Sequence, residues 1–203
     1  MTRILKTLLI TIYFISFSGS IKAQDINNKN ELIYSYLFKT ETDPYVGYKD
    51  SDTTFVVFFD YLCGYCRLFE NTISEYVNEN NDAKFIKKHY PILSQNSIYA
   101  AKAAISANKQ GFFFEFDKEL LELKPNEINV HTINNIAKKL NLDMIKFEKD
   151  MNSIEVSNEI SVNKKIGQDL NIKGTPTIIS NNKNIYFGNK DIKTLKRIVN
   201  ENK

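Results

Sequence analysis

Apolar and polar residues change period several times along this chain, and each change marks an element. From Asn27 to Thr40, Leu32, Ile33, Tyr36 and Leu37 recur at helical spacing with charges between them, which predicts a short amphipathic helix. Asp43-Pro44 and Val46-Gly47 then punctuate a loop or edge segment. Thr53 to Phe59 is an almost unbroken β-branched and aromatic run, the pattern of a strand buried on both faces. Helical spacing returns from Gly64 to Asn78, with Cys66, Phe69 and Ile73 on the inner face, until Asn80-Asn81-Asp82 breaks it. Lys84 to Tyr90 predicts a second strand ended by Pro91, and the β-α-β order implies a parallel pair with a right-handed crossover.

Residues 94 to about 170 read as helix almost throughout. Ser94 or Ser97 can cap a helix through Ala100, Ala104 and Ile105, with Gly111 as its left-handed end. Helices over Phe112–Leu123, Val130–Leu140, Asp143–Met151 and Ile154–Leu170 follow. Strand character resumes at Thr177–Ser180 and Ile185–Phe187, joined by an Asn-rich turn, and a helix over Asp191–Val199 closes the chain. The pattern predicts an α/β protein whose small mixed sheet is split by a helical insertion.

The first 23 residues read differently. Arg3 and Lys6 precede an uncharged, mostly apolar core over Thr7–Phe17, and small residues up to Ala23 suit cleavage, so residues 1–23 are expected to be an export signal. That core is shorter than the roughly 20 residues a membrane-spanning helix needs. The segment holds three basic residues and no acid, so its removal takes the net charge from +3 to zero. The basic character therefore belongs to the leader and points to neither nucleic acid nor an anionic membrane.

Chemistry enters with the cysteines. The chain has two, Cys63 and Cys66, in one Cys-X-X-Cys unit. Random placement would produce that spacing in roughly one chain in a hundred. A disulfide closing so short a loop restrains the unfolded chain very little, which removes a structural staple as its purpose. The unit stands where a strand hands over to a helix, and unpaired N–H groups in a helix's first turn stabilise an anion. Cys63 is therefore expected to be the exposed nucleophile with a lowered thiol pKa, and Cys66, one turn on, the buried resolving thiol. Gly64-Tyr65 between them carries no charge, which predicts a moderate redox poise. Asp60 is a candidate for proton transfer to the pair, against the alternative that it holds the loop after the strand. Tyr65 is expected to be exposed and Tyr61 packed in the core. His89 and His131 fit no zinc spacing with the dithiol, so no metal site is expected, although soft thiolates could capture Cu(I).

Gly174-Thr175-Pro176-Thr177 reads as a turn entering a strand. The order of motifs, Phe58 to Cys66, then Tyr90 to Leu93 leading into Ser97–Ala104, then Gly167 to Pro176, resembles the DsbA-like family over residues 43–200. The Cys-Gly-Tyr-Cys centre is similar to that of its ScsC and DsbG-like branch. The resemblance implies a thioredoxin fold with an inserted helical domain: residues 53–93 and 171–203 form the thioredoxin-like part and 94–170 the insertion, after an N-terminal helix and loop over 24–52. It implies periplasmic thiol–disulfide exchange with exported, cysteine-containing proteins, a membrane redox partner, a monomer or small homo-oligomer, and no cofactor. It also places Thr175 and a cis-Pro176 against the dithiol as substrate-binding residues. Two departures matter: strongly oxidising members have Pro-His where this chain has Gly64-Tyr65, and a buried glutamate where it has Val57. Both favour a milder oxidase, an isomerase or a reductase. The rival readings are a dithiol copper-binding or chaperone protein and a surface antigen or adhesin on the same scaffold.

Overall fold

The computed structural model describes residues 28–38 and 43–202, so the predicted export signal lies outside the described residues. Contacts divide the chain into Met1–Lys39 and Thr40–Lys203. In the first unit, residues 28–38 form helix α1, where Tyr34 and Phe38, four positions apart, stack with ring centroids 6.4 Å apart.

The second unit is built on five strands: β1 (Tyr45–Gly47), β2 (Thr53–Phe59), β3 (Ala83–His89), β4 (Thr177–Ser180) and β5 (Ile185–Phe187). Their order across the sheet is β1-β3-β2-β4-β5. β2 and β3 run parallel, and every other pair is antiparallel. All seven residues of β2 are buried, as expected for a central strand covered on both faces. The Tyr45–Gly47 segment is an edge strand, in which Gly47 takes φ +98° and a side chain would meet the Ala83 carbonyl oxygen at 2.4 Å.

Helix α2 (Gly64–Glu79) makes the crossover from β2 to β3. Between β3 and β4 lie α3 (Gln95–Asn108), α4 (Phe113–Glu122), α5 (Val130–Lys139), α6 (Met144–Met151) and α7 (Ile154–Asp169), and α8 (Ile192–Glu201) ends the chain. Their boundaries follow capping chemistry. Ser94, Asn129, Asp143, Ser153 and Asp191 each accept a hydrogen bond from a first-turn N–H, and Gly111 carries the left-handed turn that releases the chain after α3. Phe55, Phe69, Ile73 and Phe85 form one continuous core with Phe116, Phe147 and Leu195, so the inserted helices share the sheet's core. The architecture is a thioredoxin fold with a helical insertion. Gly167 lets α7 lie directly on the end of β3, because a Cβ there would sit 2.4 Å from the Tyr90 ring. Among the described residues, no helix is long and apolar enough to cross a membrane.

Candidate active site

Strand β2 ends at Phe59, and the next four residues make the turn that matters. Cys63 N–H donates to the Asp60 carbonyl (3.0 Å) and Leu62 N–H donates to Asp60 Oδ1 (2.9 Å), which brings Cys63 to the N-cap of α2. A cap residue normally offers an oxygen to the open first-turn N–H groups. Here a sulfur does so, accepting from Cys66 N–H at 3.4 Å.

The two thiols diverge as a result. Cys63 is brought down to about 6: the hydrogen bond from the Cys66 thiol outweighs the opposing effect of burial, and the Thr175 side chain and the Cys66 and Tyr65 backbone add to it. Cys66 moves the other way, because burial and the hydrogen bond to Cys63 both favour its protonated form. The expectation of an exposed Cys63 needs correcting. It is only 8% exposed, since the turn before Thr177 closes over it and its Sγ lies 3.2 Å from the Thr175 carbonyl. The exposed neighbours are Gly64 and Tyr65, the latter 67% exposed, while Tyr61 is buried.

The Thr175–Pro176 peptide bond is cis, and Thr177 Oγ1 donates to the Gly174 carbonyl (2.7 Å), closing the turn from within. Beside it opens a groove of about 510 Å³ lined by Lys173, Gly174, Thr175, Pro176 and Phe187 among others. Strand order explains the meeting. β3 and β4 flank β2, β3 ends where β2 ends, and antiparallel β4 begins there, so both neighbouring loops converge on the dithiol. Asp60 lies 2% exposed between these elements, with Oδ1 on Leu62 N–H and Oδ2 on the N–H groups of Ile92 (2.9 Å) and Leu93 (3.1 Å). These contacts are those of a residue that holds loops.

Sequence reading missed two polar groupings beneath the site. Arg67 donates to the carbonyls of Tyr61 (3.0 Å), Leu121 (2.6 Å) and Leu120 (3.0 Å), tying the dithiol turn to the last turn of α4. Such a cation also complements that helix's negative end. Lys87, opposite Val57 in the β2–β3 register, is buried between Glu70 and Asp117, at 2.7 Å from each. Asp117 also accepts from the Tyr61 hydroxyl at 2.8 Å. Burial alone would lower the Lys87 amine, but the two carboxylates outweigh it and hold it above its usual range. Glu70 is pushed up by burial and by the neighbouring Asp117 charge, against the opposing pull of Lys87. This chain has Val57 where the resemblance puts a buried glutamate, and two carboxylates, from α2 and α4, instead meet Lys87, the partner of Val57 across the β2–β3 pair. Only the even spacing of Glu70 with the helix's inner face could have hinted at this.

His89 and His131 are not brought together. His131 is exposed and bonds Asn135, whereas His89 lies among Phe59, Tyr61 and Phe113 with Nε2 unpartnered. Burial, then Lys87 and Lys88, push His89 down to about 3. Among the described residues no cluster of three or more His, Cys, Asp or Glu stands ready for a metal.

A mixed sheet of this order, with a dithiol at the N-terminus of α2 facing a cis-proline turn, defines a thioredoxin-type thiol–disulfide oxidoreductase. The sequence matches the thioredoxin family over residues 39–201, and the chain belongs to that family. Within it, the relatives are of the DsbA and ScsC type. The chain is 24% identical over 196 residues to the probable disulfide bond formation protein D of Bacillus anthracis, covering 90% of this chain and 88% of that one. The fold is similar to the thiol-disulfide exchange protein alpha-DsbA2 of Wolbachia pipientis (TM-score 0.72, 27% identity, 86% of this chain and 97% of that one). It is also similar to the catalytic domain of Proteus mirabilis ScsC (TM-score 0.71, 25% identity, 82% and 92%).

Proposed function

We propose that this is an exported oxidoreductase that exchanges disulfides with cysteine-containing exported proteins through Cys63-Gly64-Tyr65-Cys66, as an oxidase or isomerase of moderate strength. The Cys63 thiolate attacks one sulfur of a substrate disulfide, whose other sulfur leaves and takes a proton. Cys66 then gives up its proton and attacks Cys63, releasing the second substrate thiol and leaving the Cys63–Cys66 disulfide. Run in reverse, the same steps oxidise a substrate dithiol. A redox partner in the membrane would reset the pair, and Thr175 with Pro176 would align the extended substrate segment.

The observation that carries this reading is the splitting of the two thiols at the cap of α2. With Cys63 at about 6, about nine-tenths of it is thiolate at pH 7, against a few per cent for an ordinary cysteine. Its value falls between the roughly 3.5 of DsbA and the roughly 7 of thioredoxin, which supports an intermediate poise. The leader-like residues 1–23 support export.

The test is alkylation of the reduced protein across pH, paired with equilibration against glutathione. The expected midpoint for Cys63 is near pH 6, and the expected potential lies between about −270 mV and about −120 mV. Cys63→Ser should abolish exchange, and Cys66→Ser should accumulate a mixed disulfide. Exchange that survives Cys63→Ser would overturn the reading.

A further inference from the structure

We propose that Asp60 is a positioning residue: its carboxylate fastens the loop after β3 to the turn carrying Cys63, and so fixes Ile92 and Leu93 as an apolar wall for substrate on the side of the dithiol away from Thr175. This rests on the exchange function proposed above and adds what selects the substrate segment.

The dithiol stands at the end of the central strand, between two loops. The one that opens β4 contributes Thr175, whose carbonyl lies 3.2 Å from Cys63 Sγ. The other, residues 90–94, leaves β3 and becomes the cap of α3 at Ser94 within five residues. Tyr90 N–H donates to the Phe59 carbonyl (2.8 Å), which continues the strand pairing for one step. Beyond it the loop has no strand partner, and the Asp60 carboxylate takes over. One oxygen holds Leu62 and the other receives two consecutive N–H groups, from Ile92 and Leu93. Hydrogen bonds to a charged acceptor are about twice as strong as neutral ones. This carboxylate is 2% exposed, so water does not compete for it.

What the clamp presents is apolar. Ile92 is 40% and Leu93 55% exposed. Adjacent exposed apolar side chains held rigidly beside a reactive group mark a contact surface. Its occupant is the chain flanking the substrate cysteine, because the Asp60 carboxylate joins the backbone of the wall to the turn that delivers Cys63. Apolar residues next to that cysteine would be preferred. The Asp60 carboxylate does this through the backbone N–H groups of Leu62, Ile92 and Leu93, while its own backbone hydrogen-bonds the Cys66 thiol.

The experiment compares two synthetic peptide disulfides, identical except that Leu or Ser flanks each cysteine. Wild type should favour the Leu peptide. Asp60→Asn keeps the shape but turns an amide N–H₂ or a lone oxygen toward three donors. It should lower kcat/KM for the Leu peptide about tenfold through KM, and for the Ser peptide less than about threefold. The Cys63 alkylation midpoint should remain near pH 6, which separates positioning from proton transfer. Ile92→Ser with Leu93→Ser, leaving Asp60 in place, should reproduce the selective loss. Equal losses on both peptides, a displaced midpoint, or a double variant with wild-type selectivity would each overturn the proposal. Wild type inert toward both peptides overturns the exchange function itself; equal rates on both overturn only the apolar wall.

Discussion

The turn at Cys63 and the ion cluster around Lys87 both hold charge away from water, by opposite means. At Lys87 each charge has a partner of opposite sign within 2.7 Å, and Tyr61 and the rings of Phe59 and Phe113 complete the shell. At Cys63 the anion is received by N–H groups and a neighbouring thiol, with no side-chain cation among the causes of its lowered pKa. A fully paired charge has nothing left to react with, so it contributes to structure. An anion held only by dipoles keeps its lone pairs for chemistry. The lesson is that the redox centre draws its thiolate first from the Cys66 thiol one turn on and then from the cap's N–H groups, and the ion cluster below it serves to fix where that helix sits.

Breaking the paired region should produce the largest effect. Lys87→Met leaves Glu70 and Asp117 facing each other without a cation, and removing one partner of a buried ion pair costs about 3–5 kcal/mol. Urea unfolding should show that loss while the Cys63 alkylation midpoint stays near 6. A midpoint that moves with Lys87 would mean the two regions are electrostatically one.

Between the two regions lies His89, buried and held near 3. Its unfolded value is about 6.5, so between pH 6.5 and 3 the unfolded chain binds more protons than the folded one. Stability therefore falls as pH drops through that window, with a slope approaching about 1.4 kcal/mol per pH unit. His89→Phe keeps a flat ring against Phe59 and Tyr61 and removes the titration. Relative to wild type it should gain about 2–3 kcal/mol on going from pH 7 to 4.5, read by urea unfolding at both pH values.

The smallest effect sharpens the contrast from the other side. Tyr65→His would place a cation beside Cys63, whose lowered pKa now owes nothing to a side-chain cation. With Tyr65 exposed and clear of the core, stability should hold. The Cys63 midpoint should drop by about one pH unit and the reduction potential rise by about 30 mV, measured by alkylation and glutathione equilibrium. An unchanged potential would show that the helix cap already saturates the thiolate.

Much of this molecule is readable from the chain because its elements are locally determined. Thr53–Phe59 announces a buried strand by composition, and Ser94, Asp143, Gly111 and Asp191 announce helix ends through hydrogen bonds that close within four residues. Cys63 and Cys66 are legible for the same reason, since one helical turn places a sulfur on a first-turn N–H. Asp60 was visible both as a proton-transfer candidate and as a holder of the loop after the strand, but the second loop it holds was not visible. Leu62 is a local partner, whereas Ile92 and Leu93 are some thirty positions away and meet it only because β3 pairs with β2.

The sequence by itself determined the periodic elements, the dithiol and its place at a helix start, because these depend on neighbours within a turn or two. The resemblance placed Thr175 against the dithiol, and tertiary structure alone decided how far it covers Cys63, that Lys87 finds its carboxylates on α2 and α4, and that Arg67 closes α4. Each of those contacts joins residues from different elements, and side-chain charge carries no mark of the partner that will neutralise it. Lys87 and Lys88 look alike in the sequence, yet successive residues of a strand point to opposite faces, so one meets Glu70 and Asp117 and the other Asp43.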